Sequence, residues 1–256
     1  MPCLLLPLAP ARPEKPPARL PLPGHPHHDI DTMPTRGAAA RLRLTARALA
    51  PRPAAAGHQP SVRPATPADR QGVVETIVRA FVASPETDYF FRSAEGDRYD
   101  ELAPTFFGGL FDGRCPGGTV WTTQDSSAVA LWDAPHDAEA QEQPAAPSPY
   151  PPDVLRRLAR YNSIVHDLLP PDTEPYWYLG ILACHPRAQG GGLARQVARA
   201  AIDLAQDAGL VAYLETTNPR NVGIYRRAGW VVHAVSDELQ PRLRIWVMRH
   251  DGRVSR

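Results

Sequence analysis

Three consecutive glycines, Gly190, Gly191 and Gly192, stand between an apolar aromatic run and a segment of helical period. The run starts at Tyr176, stops at Pro186 and carries few charges, the pattern of a strand covered on both faces. Beyond the glycines, Leu193, Val197, Ala201, Leu204 and Ala208 recur near helical period, and Gly209 supplies a C-terminal stop. A strand, a glycine turn and a helix start aim bare N–H groups at one spot. No side chain fends off a ligand there, and the helix end adds partial positive charge. Such a corner suits a phosphate. Arg195 fits this reading, because a cation in the first helical turn opposes the dipole unless an anion stands before it. The plain alternative is a turn made of glycine for tightness alone. The corner lacks the Gly-Lys-Ser/Thr of an ATP-binding loop, and Arg195 stands where Gly-x-Gly-x-x-Gly needs its third glycine.

What the corner does match is Gln/Arg-x-x-Gly-x-Gly/Ala, written here as Gln189, Gly192 and Ala194. A second apolar strand, 211–217, carries Leu214-Glu215 and is followed by Asn221, Tyr225 and Gly229-Trp230. In this order and at this distance, the two motifs resemble the acetyl-CoA signature of the GNAT superfamily of N-acetyltransferases. The resemblance spans about 61–250. In texture it is similar to the puromycin N-acetyltransferase type, through 128–132, 213–216, 219–221 and 225–229.

The resemblance implies an α/β fold, a mixed and mostly antiparallel central sheet whose fourth and fifth strands splay, flanked by helices. It implies acetyl-CoA as co-substrate and no metal. The pyrophosphate would be wrapped by Gln189, Gly190, Gly191, Gly192, Leu193, Ala194 and Arg195. The strand ahead of the glycines would carry a bulge and splay from its neighbour so that the pantetheine arm pairs with it, and a backbone N–H near Leu182, Ala183 and Cys184 would meet the thioester oxygen. Tyr225 would protonate the departing thiolate, with a core aromatic as its alternative role. Asn221 either caps the short helix or bonds the pantetheine. Glu215 either takes the proton of the attacking amine or merely orients backbone and Arg220.

Acetyl transfer to an amine needs deprotonation of the nitrogen, stabilisation of the carbonyl oxygen and protonation of the leaving sulfur. No covalent enzyme intermediate is needed, so direct attack in a ternary complex is expected. The acceptor is expected to be a small-molecule amine, since the aromatic stretch Tyr89-Phe90-Phe91 suggests a closed pocket. Glu86 and Asp88 are candidates to line it. Asp172 and Glu174 would either guide a cation or form a solvated loop. A protein or peptide acetyltransferase and a non-catalytic CoA sensor are the rival classes. Cys184 has no catalytic histidine, because neighbouring His185 points to the opposite face of a strand.

The rest of the chain frames this centre. Half of the 30 prolines lie at or before Pro67. Residues 1–60 read as a Pro/Ala/Arg-rich arm, a transit segment or an upstream start-site assignment, with 61–250 as one domain and 251–256 as a tail. A net charge of +1 gives no field for nucleic acid. Three cysteines form no framework, and no apolar run reaches the roughly 18 residues of a membrane span. A cytoplasmic protein is expected; the sequence is silent on oligomeric state.

Overall fold

β1 (Val62–Pro64) ends in a proline, which has no N–H to give to a second neighbour and so belongs at a sheet edge. That is its place in the computed structural model, which describes residues 61–93, 96–135, 148–171 and 174–251. The expected arm 1–60, residues 136–147, Asp172 and the tail beyond 251 lie outside the described residues.

After β1 a single 3-10 turn (Pro67–Asp69) precedes α1 (Arg70–Phe81). Asp69 explains the turn. Its carboxylate accepts the Thr66 N–H at 2.7 Å and the Thr66 hydroxyl at 2.9 Å, reaching back as an acid at this position of a capping box does. The stretch 85–91 is a short helix, α2 (Pro85–Phe91), followed by a two-residue hairpin of β2 (Arg92–Ser93) and β3 (Gly96–Asp97) that sequence reading missed. Then come α3 (Tyr99–Arg114), β4 (Val120–Thr123), β5 (Ala128–Asp133) and α4 (Pro152–Leu168). The glycine-rich half supplies β6 (Tyr176–Cys184), α5 (Leu193–Asp207), β7 (Val211–Thr216) and α6 (Pro219–Arg227). Two closing strands follow, β8 (Val231–Ser236) and β9 (Ile245–His250).

Seven strands form one sheet in the order β1-β4-β5-β6-β7-β9-β8, with β6 and β7 the single parallel pair. Alternation along β5 divides the core. Val129 and Leu131 face α1 to α4 together with Phe81, Phe90, Phe106 and Tyr161. Ala128, Ala130 and Trp132 face α5 and α6 with Leu193, Val197, Tyr225 and Trp230. A fully buried aromatic in such a layer is worth about 1.5–3 kcal/mol of transfer free energy, so the cluster of phenylalanines in 81–111 anchors the α2–α3 side. The helical period of α5 drifts from the sequence expectation: Leu204 is 44% exposed, while Ala201 and Ala205 are buried. On α4, Val154 and Ile164 join the inward face and Leu155 is half-buried.

Candidate functional site

β6 and β7 pair over only four rungs, Tyr176 with Val211 through Leu179 with Leu214. Beyond Leu179 the two strands part, although β6 continues to Cys184 and β7 to Thr216. The cause lies on the other edge of β6. Leu131 pairs with Ile181 but Trp132 pairs with Leu179, so Gly180 is an extra residue and the strand bulges there. Glycine makes room at this point: a Cβ would stand 3.2 Å from the guanidinium of buried Arg114, which holds Asp133 at 2.7 Å.

The bulge lies just before the residues expected to offer the oxyanion N–H, and strand alternation sorts those residues. The His185 N–H donates to Ser127 O at 2.8 Å, fixing that pair as one that exchanges hydrogen bonds. Counting back, Ala183 and Ile181 direct their main-chain groups at β5. Leu182 and Cys184 direct theirs into the gap beside β7. Of the three expected amides, Ala183 is thus turned away, and the other two face the opening. The Cys184 carbonyl is already engaged by Gln189 Nε2 at 3.2 Å. This bond ties the end of β6 to the glycine corner.

At the corner, Gly190 has φ 87° and Gly192 φ 79°, left-handed values that disfavour a side chain. A Cβ at either meets no heavy atom within 4 Å. Gly192 is the N-cap of α5 and offers no side-chain cap; no acid stands in the first turn, and exposed Arg195 does. The first bond inside the helix runs from Gln196 N–H to Gly192 O at 3.2 Å. The amides of Leu193, Ala194 and Arg195 precede it and have no intrahelical acceptor. Open amides, a helix dipole and a cation fit a pyrophosphate.

On the α5 face of the gap, Tyr225 is buried, with its ring 6.1 Å from that of Trp230. Asn221 does not cap α6. Asn218 does, accepting the Arg220 N–H at 3.0 Å, so the capping role expected of Asn221 is taken three residues earlier. Asn221 instead donates from Nδ2 to Thr216 Oγ1 at 3.3 Å, and its buried Oδ1 finds no partner among the described residues. A buried amide oxygen without a donor suits a ligand carrying N–H groups.

On the helical face, Glu215 is fully buried and Tyr161 donates to its Oε1 at 3.4 Å. Arg220, which the other reading of Glu215 would have it orient, is exposed. Glu86 is buried too, where sequence reading made it one of several pocket candidates; its carboxylate accepts from Thr217 Oγ1. Burial raises its pKa above the usual glutamate range. Asp88 points outward to Arg92, and Glu174 is exposed. Of the three aromatics expected to close a pocket, Phe90 and Phe91 belong to the core. Tyr89 alone borders a groove of about 500 Å³, with Pro85, Asp88, Arg92 and Arg242. Cys184 is buried and its thiol is pushed up in pKa by that burial, the opposite of an activated nucleophile. His185 is occupied as a cap, accepting the Arg187 N–H at Nδ1.

Residues 157–230, from α4 through the glycine corner to Trp230, match the model of the Acetyltransferase (GNAT) family. The chain has the GNAT fold. Among solved structures, it is similar to a Corynebacterium glutamicum protein described as "histone acetyltransferase HPA2 and related acetyltransferase", at 22% identity and a TM-score of 0.50, covering 77% of this chain and 98% of that one. Arylalkylamine N-acetyltransferase 2 of Aedes aegypti superposes with a TM-score of 0.54 at 13% identity, covering 75% and 99%. An agmatine N-acetyltransferase gives 0.51 at 12% identity, covering 75% and 99%. The GNAT fold accounts for the sheet order, the splay and the position of the glycine corner in one stroke.

Proposed function

We propose that this protein is an acetyl-CoA-dependent N-acetyltransferase that acetylates a primary amine of a small molecule by direct attack in a ternary complex. The observation that carries the reading is the continuity of open main-chain donors. The amides of Gly190 to Arg195 lead past Gln189 to the gap-facing N–H groups of Cys184 and Leu182. A long ligand with an anionic end and an extended amide-bearing arm matches that track.

When bound, acetyl-CoA supplies an activated acetyl group as a thioester. The corner amides and Arg195 hold its diphosphate. The gap-facing edge of β6 orients the arm, and the N–H of Leu182 or Cys184 stabilises the carbonyl oxygen as it gains charge. Asn221 Oδ1 accepts from an N–H of the arm. The acceptor nitrogen bonds to the acetyl carbon, the C–S bond breaks, Glu215 takes the nitrogen's proton and Tyr225 gives one to the sulfur. Holding both reactants in line contributes up to about 7–11 kcal/mol in well-oriented systems.

A small acceptor is favoured over a peptide because the candidate acids Glu86 and Glu215 are both buried. The likeness to the puromycin type, carried by 128–132, 213–216, 219–221 and 225–229, is a second proposal and names no acceptor. Thiol release from acetyl-CoA with aminonucleosides, polyamines, aminoglycosides, arylalkylamines and peptide N-termini tests the reading. Release with a small amine is expected. CoA binding without release from any amine would point to a sensor, and release with peptides alone to a protein acetyltransferase.

A further inference from the structure

The extra residue in β6 decides which main-chain groups face the gap. Trp132 N–H donates to Thr119 O at 2.9 Å, so Trp132 faces the β4 side and its neighbours Leu131 and Asp133 face β6. Their partners are Ile181 and Tyr178. Residues that share one edge of a regular strand lie an even number apart, and these two lie an odd number apart because of Gly180. Were the extra residue carried beyond Cys184, the even-numbered residues would go on facing β5. The N–H groups of Leu182 and Cys184 would then turn away from the gap.

The hydrophobic pattern does not fix where that residue sits. Every position of β6 from Tyr178 to Cys184 is buried and uncharged, so sliding the bulge exchanges one such residue for another on both faces. Nor does the backbone fix it, since Gly180 does not have a left-handed φ. What stands at this one position is Arg114, the last residue of α3. A Cβ on Gly180 would lie 3.2 Å from its Nη2 and 3.6 Å from Asp133 Oδ2. A residue without a side chain leaves the guanidinium its place.

The guanidinium is itself held. Nη2 donates to Asp133 Oδ2 at 2.7 Å, Nη1 donates to Leu110 O at 3.2 Å, and the Arg114 carbonyl accepts from Thr119 Oγ1 at 3.2 Å. At 7% exposure its side chain is the most buried cation of any ion pair among the described residues. Such a pair is a poor source of stability, because apolar residues of like volume serve as well. What it supplies is position. Asp133 ends β5 opposite Tyr178, so the pair ties α3 to the end of β5 directly over Gly180.

We propose that Arg114, locked by Asp133, is a positioning residue for the acyl transfer: it keeps the extra residue of β6 at Gly180 and so keeps the Leu182 and Cys184 amides turned toward the thioester. The proposal rests on the acetyltransferase reading. Arg114 touches neither reactant and acts through the strand alone.

Amide hydrogen exchange and turnover of the full chain test this together. In the native protein the amides of Leu182 and Cys184 should exchange about tenfold or more faster than those of Ile181 and Ala183, which bond to β5. Arg114→Met combined with Asp133→Leu removes both charges in favour of apolar groups, so the fold should persist. In that variant the exchange contrast should shrink to about twofold or less. Its kcat for thiol release, with the best amine of the panel above, should fall by about a hundredfold, the scale of a lost oxyanion donor. ADP, which carries a diphosphate and no pantetheine arm, should bind both proteins within about twofold, because the glycine corner is untouched. Arg114→Lys keeps the charge without the planar fork and should give smaller changes of the same sign; it serves where the double variant does not fold. A folded variant with native exchange contrast and native kcat would overturn the role of Arg114 while leaving the acetyltransferase standing. Either readout moving without the other would overturn that role as well. No thiol release with any amine by the native chain would overturn both.

Discussion

Thr217 Oγ1 donates a hydrogen bond to Glu86 Oε2 and so joins α2 to the bend that follows β7 across 131 residues of sequence. The bond brings an acid from the phenylalanine-rich half of the chain to the half that carries the glycine corner. A seven-residue helix is too short to hold itself in water. Its position is therefore set by this contact and by Phe90 and Phe91 beneath it.

Glu86 should leave a signature in the pH dependence of stability. Burial favours its protonated form, so the native state holds that proton more tightly than the unfolded chain does. The stabilising contribution is complete below the ordinary glutamate range and is lost as pH rises through the folded value. Glu86→Gln fixes the neutral form. Its Tm relative to the native chain should therefore climb as pH rises above the ordinary glutamate value of about 4. Parallel melting curves across that range would contradict the assignment.

Asp69 carries the opposite sign. Its hydrogen bonds from Arg63, at 2.9 and 2.7 Å, and from Thr66 hold its carboxyl far below the usual range. That contribution is present above the unfolded pKa and is lost as pH falls through the folded one. Asp69→Asn should cost about 1–2 kcal/mol at neutral pH, in the range of lost caps and charged hydrogen bonds. Denaturant titrations at neutral and acid pH should show the penalty shrinking on acidification.

The corner can be probed with strain and charge separated. Gly192→Ala adds only the left-handed penalty, about 1–2 kcal/mol, and should weaken CoA binding modestly. Gly192→Glu adds a carboxylate where a diphosphate is expected and should abolish binding. Native protein at a hundredfold excess of ligand over Kd gains about 2.7 kcal/mol of stability. Thermal shift with CoA should report that gain for the native chain and none for Gly192→Glu. An equal shift in both would remove the corner from the binding site.

Tyr225→Phe keeps the ring against Trp230 and removes only the hydroxyl. Turnover should fall by about a hundredfold or more, the scale of a lost general acid, while CoA affinity holds. Undiminished kcat would leave Tyr225 as a core aromatic.

Much of this arrangement was legible in the sequence because it rests on chemistry with few substitutes. Gly190 and Gly192 need left-handed backbone, and the periodic face of α5 from Leu193 to Ala201 needs a sheet to cover it. What stayed hidden depends on contacts between distant segments. Gly180 reads as one more small residue in an apolar strand until Arg114 and Asp133 are seen beneath it. Glu86 and Asp88 are two similar acids two residues apart, and only the packing of α2 decides that one is enclosed and the other exposed. Asn218 and Asn221 compete for one cap, and the turn geometry before Pro219 awards it to the first. The hairpin Arg92–Ser93 with Gly96–Asp97 has no alternation to announce it, because two residues cannot show a period.

The early divergence of β6 from β7 has a consequence for the molecule outside any reaction. Unsatisfied peptide rungs on a sheet margin invite other chains to stack there and seed aggregates. Here the gap-facing N–H groups of Leu182 and Cys184 sit in the interior of a seven-stranded sheet, in a cleft between two strands that stay joined at one end. A slender linear ligand can enter such a cleft, but the flat margin of a second protein cannot. Stickiness is thereby confined to guests of one width.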